Sequence, residues 1–180
     1  MKILDLGCGK RKLKHKNAEV IGLDKFKLPG VDIIWNLESL SLPFNNNEFD
    51  IINARHVLEH IINFFPLMEE LHRITKKEGK IIVRVPHFSN QYAFCPDHER
   101  FFALNTFDYF TPNNRENYYT KARFNIIKKR LIFINIDSRW AFLNFLFNPI
   151  LNLWQGFTEK FPILSPEEIY FELKPIKNKK

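Results

Sequence analysis

A glycine-bracketed turn between two acidic residues is the first feature of this chain with chemical meaning. Ile3-Leu4-Asp5-Leu6 runs into Gly7-Cys8-Gly9, and Ile21-Gly22-Leu23 ends on Asp24. A strand entering Gly-x-Gly lets the backbone approach a ligand closely, because glycine has no Cβ. In a parallel sheet that ligand lies outside the carboxyl ends of the strands. Asp24 stands 17 residues after Gly7, near the spacing of about 20 at which a strand-end carboxylate meets ribose hydroxyls. The turn could serve a dinucleotide, but the third glycine of that fingerprint falls on Lys12. Asp5 beside the turn favours a ligand carrying a positive amine and sulfonium over a pyrophosphate, while Lys10, Arg11 and Lys12 favour phosphate. Cys8 reads as a small buried turn residue rather than a nucleophile.

The histidines are the next candidates. His87 follows an apolar run closed by Pro86, where a strand end would face an acceptor. His98 lies among Asp97, Glu99 and Arg100, and an adjacent carboxylate could orient it and raise its pKa toward neutrality. Glu59-His60 reads as the start of a helix, and Cys95-Pro96 lacks the strand context of a nucleophile.

Alternating elements must position these residues. Strands are expected at 2–6, 19–23, 31–35, 49–54 and 80–85. The spacing Val57, Leu58, Ile61, Met68, Leu71, Ile74 predicts an amphipathic helix over 56–76, with Pro66 as a kink or a new start. Lys76, Lys77 and Gly79 suit its C-terminus. Only a small helix fits between Gly9 and Asp24. This alternation implies a parallel sheet with crossovers. Later strands are expected at 124–136 and 168–176. The apolar stretch 140–157 has Pro149 inside it and suits one or two helices. It would serve as an aromatic cover, a substrate lid or an interfacial segment.

Composition fits one soluble globular domain: 180 residues, 45% hydrophobic, 26% charged, with 19 Phe. The formal charge of +7 and the tail Lys174, Lys177, Lys179, Lys180 fit solvated faces or an acidic partner. Two cysteines, Cys8 and Cys95, give neither a disulfide framework nor a metal pattern. The absence of a leader-like or membrane-spanning run makes the cytoplasm the expected location.

Asp5-Leu6-Gly7-Cys8-Gly9, Asp24, Leu42-Pro43-Phe44 with Phe49-Asp50-Ile51-Ile52, Val57-Leu58-Glu59-His60, and Glu70-Leu71-His72-Arg73-Ile74 with Lys77-Glu78-Gly79-Lys80 occur in that order over residues 1–86. Together they resemble the class I S-adenosylmethionine-dependent methyltransferases, of the methyltransferase type 11 kind. The resemblance implies an α/β fold of three α/β/α layers, Rossmann-like, with a mostly parallel seven-stranded sheet whose last strand runs antiparallel beside strand five. It implies one domain over 1–180, with a cofactor-binding half at 1–88 and a substrate-side half at 89–180 that carries an aromatic helical insertion near 139–160.

The cofactor implied is S-adenosylmethionine, held by Asp5, Gly7, Cys8, Gly9, Asp24, Lys25, Asn36, Leu37, Asn53, Ala54 and His56, with His87 and His98 as catalytic candidates. Asn36 stands where relatives often carry an aspartate toward the adenine amine, and Lys80 replaces one glycine of a usual pair. His87-Phe88-Ser89, Asp97-His98-Glu99-Arg100-Phe101 and Phe107-Asp108-Tyr109-Phe110 resemble a smaller subgroup of such enzymes.

The expected activity is O- or N-methylation of a small-molecule or glycan- or lipid-linked acceptor. An RNA methyltransferase and a non-catalytic methyltransferase-fold subunit are the alternatives; a nicotinamide-dependent oxidoreductase is disfavoured by Lys12. Peripheral membrane contact would run through 139–157.

Overall fold

A computed structural model describes residues 1–39, 41–161 and 165–177. Strand β1 (Lys2–Leu6) carries Ile3, Leu4 and Leu6 and is buried on both faces from Ile3 onward. It pairs in parallel with β2 (Glu19–Asp24) and with β4 (Phe49–Arg55). β3 (Ile33–Ile34) adds only two residues beyond β2, shorter than the 31–35 expected. β5 (Thr75–Pro86) lies parallel to β4, and β7 (Glu168–Pro175) runs antiparallel between β5 and β6 (Phe124–Ile132). The sheet order is β3-β2-β1-β4-β5-β7-β6, with β7 inserted beside β5 as the resemblance implied.

The connection from β4 to β5 departs from its expected form. The single helix anticipated over 56–76 is a 3-10 turn at Leu58–His60 followed by helix α1 (Phe64–Ile74). Pro66 marks a new start: it sits in the first turn, where its missing N–H leaves no bond unmade. The helix buries Phe64, Leu67, Met68, Leu71 and Ile74 at helical spacing. It stops because Thr75 turns extended and its Oγ1 donates to the Leu71 carbonyl at 2.6 Å. The chain passes straight into β5, so Lys76, Lys77 and Gly79 are strand residues rather than a helix end. Gly79 is needed for packing there, since a Cβ would lie 2.8 Å from the Asp50 carbonyl.

α1 also ties down the loop before β4. Arg73 donates to the Phe44 carbonyl at 2.7 Å and the Leu42 carbonyl at 3.1 Å, and Glu70 accepts the Leu42 N–H at 2.7 Å. The Glu70 carboxyl is held below its usual range by the Arg73 guanidinium beside it. Two stretches of the sequence resemblance are thus one interlocked unit.

The two faces of the sheet are unequally covered. On one, Phe49, Ile52, Ala54, Ile81, Val83, Val85, Phe171 and Leu173 are sealed beneath α1 and an aromatic cluster that includes Phe102, Phe107 and Phe110. On the other, Ile51, Asn53, Arg55, Ile82, Arg84 and Tyr170 are half-buried. The second layer there is thin: the 7–18 connection, which holds no helix where a small one was expected, and the flank of helix α2 (Asn144–Leu153).

α2 is fixed to the edge strand by side-chain amides. Asn152 accepts the Leu131 N–H at 3.0 Å, Asn148 accepts the Phe133 N–H at 2.8 Å, and Asn144 accepts the Ile134 N–H at 2.9 Å. Asn144 and Asn152 return donors to the Ile134 and Leu131 carbonyls. An edge strand that would otherwise present open hydrogen-bonding groups is closed in this way. The stretch 140–157 buries Leu151 and packs Phe147 against Phe133, but most of its large apolar side chains are exposed, so it is not an aromatic cover over the sheet. The lysine tail is partly docked: Lys174 pairs with Glu78 at 2.6 Å and Lys177 donates to the His72 and Arg73 carbonyls. Lys179 and Lys180 lie outside the described residues.

Leu71 is fully buried between α1 and the sheet. Leu71→Ala is expected to lower unfolding stability by roughly 2–5 kcal/mol, as truncation of a core leucine does. Urea denaturation followed by circular dichroism measures it.

Candidate active site

The glycine turn is shaped by carboxylates. Gly7 and Gly9 take left-handed backbone (φ 63° and 53°). A Cβ on Gly7 would lie 2.5 Å from Val57 Cγ2, whereas one on Gly9 would meet nothing within 4 Å. Gly7 is thus required by packing against the start of the β4–α1 connection, and Gly9 presents an open cradle. Asp24 Oδ2 accepts the Gly9 N–H at 2.9 Å, and its Oδ1 accepts the Phe26 N–H at 3.0 Å. Asp5 Oδ2 accepts the Leu13 N–H at 2.7 Å, and its Oδ1 accepts from Asn53 Nδ2 at 2.6 Å. Lys12 does not point at a phosphate; it pairs with Asp32 at 2.8 Å, and that contact depresses the Asp32 carboxyl. Cys8 is buried, and burial first, then the charges of Asp5 and Asp24, push its thiol up to about 11. It is not a nucleophile at neutral pH.

A cleft of about 770 Å³ brings together Asp5, Gly7, Cys8, Asn53 and His56, with Arg11, Arg55 and Arg84 around it. Its volume lies in the range of small-molecule sites. Gly9 and Asp24 do not line it; they are joined to each other at the turn by the Gly9 N–H bond. Lys25 and Asn36 lie on the exposed surface beyond Asp24, and the Asn36 amide oxygen accepts the Glu38 N–H at 3.1 Å. Leu37 and Ala54 are buried in the core, so only their backbone is available to a ligand.

Beside the cleft stands a charge cluster that sequence reasoning missed. His56, in left-handed backbone (φ 49°), lies between two carboxylates that are each 1% exposed. Its Nε2 is 2.6 Å from Glu168 Oε1 and its Nδ1 is 3.3 Å from Glu59 Oε1. Burial alone would push the imidazole down, but the hydrogen bonds and charges of Glu168 and Glu59 outweigh it and raise it to about 9. Asn135 also donates to Glu168, and Arg55 reaches Asn135 at 3.3 Å and Asp137 at 2.7 Å. The clue in the sequence was two glutamates inside apolar stretches, Val57-Leu58-Glu59 and Glu168-Ile169.

The two catalytic candidates fare differently. His87 does not face an acceptor. It is 0% exposed, its Nδ1 accepts the Ser89 N–H at 3.2 Å, and its Nε2 lies 3.5 Å from Glu159. The correction has a simple cause: the residue after β5 turns inward, where it pins the following loop to α3 (Gln155–Lys160). His98 lines a separate cavity of about 460 Å³, with Glu59, His60, Cys95 and Glu168; His56, Asn135 and Asp137 line both cavities. Its orientation comes from the Ala93 carbonyl at 3.2 Å, not from a neighbouring carboxylate.

Gly7→Ala is expected to cost about 1–3 kcal/mol from left-handed strain plus the Val57 clash, and Gly9→Ala the strain alone. Paired thermal melts distinguish them, with the larger drop at Gly7.

Residues 4–83 match the family model described as a methyltransferase domain. An uncharacterised protein of Methanocaldococcus jannaschii is 38% identical over 92 residues, covering 46% of this chain and 40% of that protein. The demethylmenaquinone methyltransferase of Alkalihalophilus pseudofirmus is 27% identical over 88 residues, 44% of this chain and 37% of that protein. The matched segment thus spans about two fifths of the length of these curated relatives. The fold is similar to that of an S-adenosylmethionine-dependent methyltransferase from Archaeoglobus fulgidus, with a TM-score of 0.58 at 19% identity over 96% of this chain and 85% of that one. Residues 4–83 are thus similar in sequence to a methyltransferase domain, and the fold of the chain is similar throughout to that of class I Rossmann-like methyltransferases.

Proposed function

We propose that the chain transfers a methyl group from S-adenosylmethionine to an oxygen or nitrogen of a small-molecule or glycan- or lipid-linked acceptor. The observation that carries this reading is the Asp24 carboxylate bonded to the Gly9 N–H at the carboxyl edge of β1 and β2. The residues present fit the cofactor: an open glycine cradle beside a strand-end carboxylate, and a second carboxylate, Asp5, facing the cleft. When bound, S-adenosylmethionine supplies the activated methyl group. Asp24 retains lone pairs for the ribose hydroxyls. Gly7 and Gly9 admit the ligand close to the backbone, and Asp5 with Asn53 presents negative charge and a polar edge to its amino-acid end. Asn36 offers its amide to the adenine. Lys25 stands beside Asp24 at the rim, while Leu37 and Ala54 contribute backbone and apolar support. His56 closes the wall between the cleft and the cavity that holds His98, which suits the acceptor side.

Calorimetric titration of S-adenosylhomocysteine, the demethylated form, tests the reading. Wild type is expected to bind near micromolar strength, about −8 kcal/mol. Asp24→Ala should weaken binding tenfold or more, since hydrogen bonds to a charged group contribute about 1.5–3 kcal/mol each. NAD should not bind. Absence of binding to wild type removes the enzyme reading and leaves a non-catalytic module.

The acceptor side includes a membrane surface in this proposal. Among the described residues no helix is long and apolar enough to cross a membrane. Phe145, 91% exposed, and Leu146, Ile150, Leu153, Trp154 and Phe157 nevertheless face outward from α2 and α3, with exposed Arg139 and Lys160 nearby. Apolar side chains flanked by cations suit the interface of an anionic bilayer. Co-sedimentation with phosphatidylserine vesicles is expected for wild type and lost in the Phe145→Glu, Leu146→Glu double variant. Wild type that stays in solution contradicts the membrane contact.

A further inference from the structure

We propose that Glu59, His60 and His98 form a binding site for one divalent transition-metal ion of the zinc class. This inference does not depend on the methyl-transfer reading.

The geometry begins with the two imidazoles. His60 Nδ1 lies 3.0 Å from the Asp97 carbonyl and 3.3 Å from Asp97 Oδ2, and His98 Nδ1 lies 3.2 Å from the Ala93 carbonyl. Carbonyl and carboxylate oxygens only accept, so each Nδ1 must carry the proton. With the proton on Nδ1, the Nε2 of each ring is the nitrogen that offers a lone pair. Donation of one ring N–H to a backbone carbonyl while the other nitrogen stays bare is the arrangement that metal-ligating histidines use. The rings stand edge to face with centroids 4.7 Å apart.

The third donor is a carboxylate that lacks a partner. Glu59 is 1% exposed; its Oε1 is taken up by His56, but its Oε2 has no hydrogen-bond partner among the described residues. A buried carboxylate oxygen left bare is costly unless something cationic meets it. Glu59, His60 and His98 each offer one donor atom, and these atoms lie within 4.8 Å of one another. A second group, Cys95, Asp97 and His98, overlaps the first at His98. Only the first contains the bare buried oxygen. Two imidazoles and one carboxylate form a set that zinc takes when it keeps a fourth position open. That position faces the cavity of about 460 Å³ that His56 separates from the cleft.

The site was not legible as a metal motif, because His60 and His98 are 38 positions apart in the chain. What joins them is the loop after β5: the Glu99 N–H donates to the Glu59 carbonyl at 2.7 Å, and Arg100 donates to the Ile61 carbonyl. The backbone around the histidines is thereby fixed without help from the ion.

The test is titration of Zn²⁺ into chelator-treated full chain against a chromogenic competitor, with zinc content measured after desalting. One zinc per chain is expected for wild type. His98→Gln and Glu59→Gln should each weaken binding at least tenfold, while His15→Gln, on the far connection, should leave it unchanged. His98 is only partly buried, and a melting curve close to wild type shows that its variant remains folded. No zinc retained by wild type overturns the proposal. So does unchanged affinity in the folded His98→Gln variant.

Discussion

The site region depends on backbone N–H groups that carboxylates satisfy in place of a helix. Between β1 and β2 the chain has no helical turn to absorb its amides. Asp24 takes the Gly9 and Phe26 N–H groups, Asp5 takes that of Leu13, and Asp32 takes that of Gly22 while pairing with Lys12. Each of these amides would otherwise be under-satisfied near a packed sheet, at a cost comparable to a lost hydrogen bond. The same carboxylates bring negative charge to this edge of the sheet, where the proposed sulfonium-bearing ligand would meet it. In that proposal structural satisfaction and ligand recognition share atoms.

A second layer of consequence runs through β4. Gly7 packs directly against Val57, so the turn after β1 and the segment after β4 fit together. That segment also carries His56 and Glu59, and through Glu168 it reaches β7, three strands away from β1. An imidazolium between two buried carboxylates holds charge where isolated carboxylates would be expensive. Because His56 lines both cavities, the cleft and the cavity that holds His98 share a wall.

Much of the architecture was legible in the chain. β1, β2, β4 and β7 follow from apolar runs bounded by glycine, aspartate and proline, and the position of β7 followed from resemblance rather than periodicity. The misreadings have physical causes. Gly79 resembled a helix end because glycine usually serves there, but here it admits the Asp50 carbonyl into a strand bulge. His87 looked outward because it follows a strand, yet its polar atoms are consumed by Ser89 and Glu159. The asparagines at 144, 148 and 152 share one helical face, but nothing in a single sequence says that this face meets backbone rather than water. Likewise, Glu59 and Glu168 are ordinary acids until the fold removes their solvent.

The most direct test of the cofactor assignment is a crystal structure of the chain with S-adenosylhomocysteine. The account predicts the ligand across the Gly7-Cys8-Gly9 turn, with ribose hydroxyls at hydrogen-bonding distance from Asp24, about 2.6–3.2 Å. A ligand bound away from the Gly7-Cys8-Gly9 turn, with Asp24 still engaged only by Gly9 and Phe26, would contradict it.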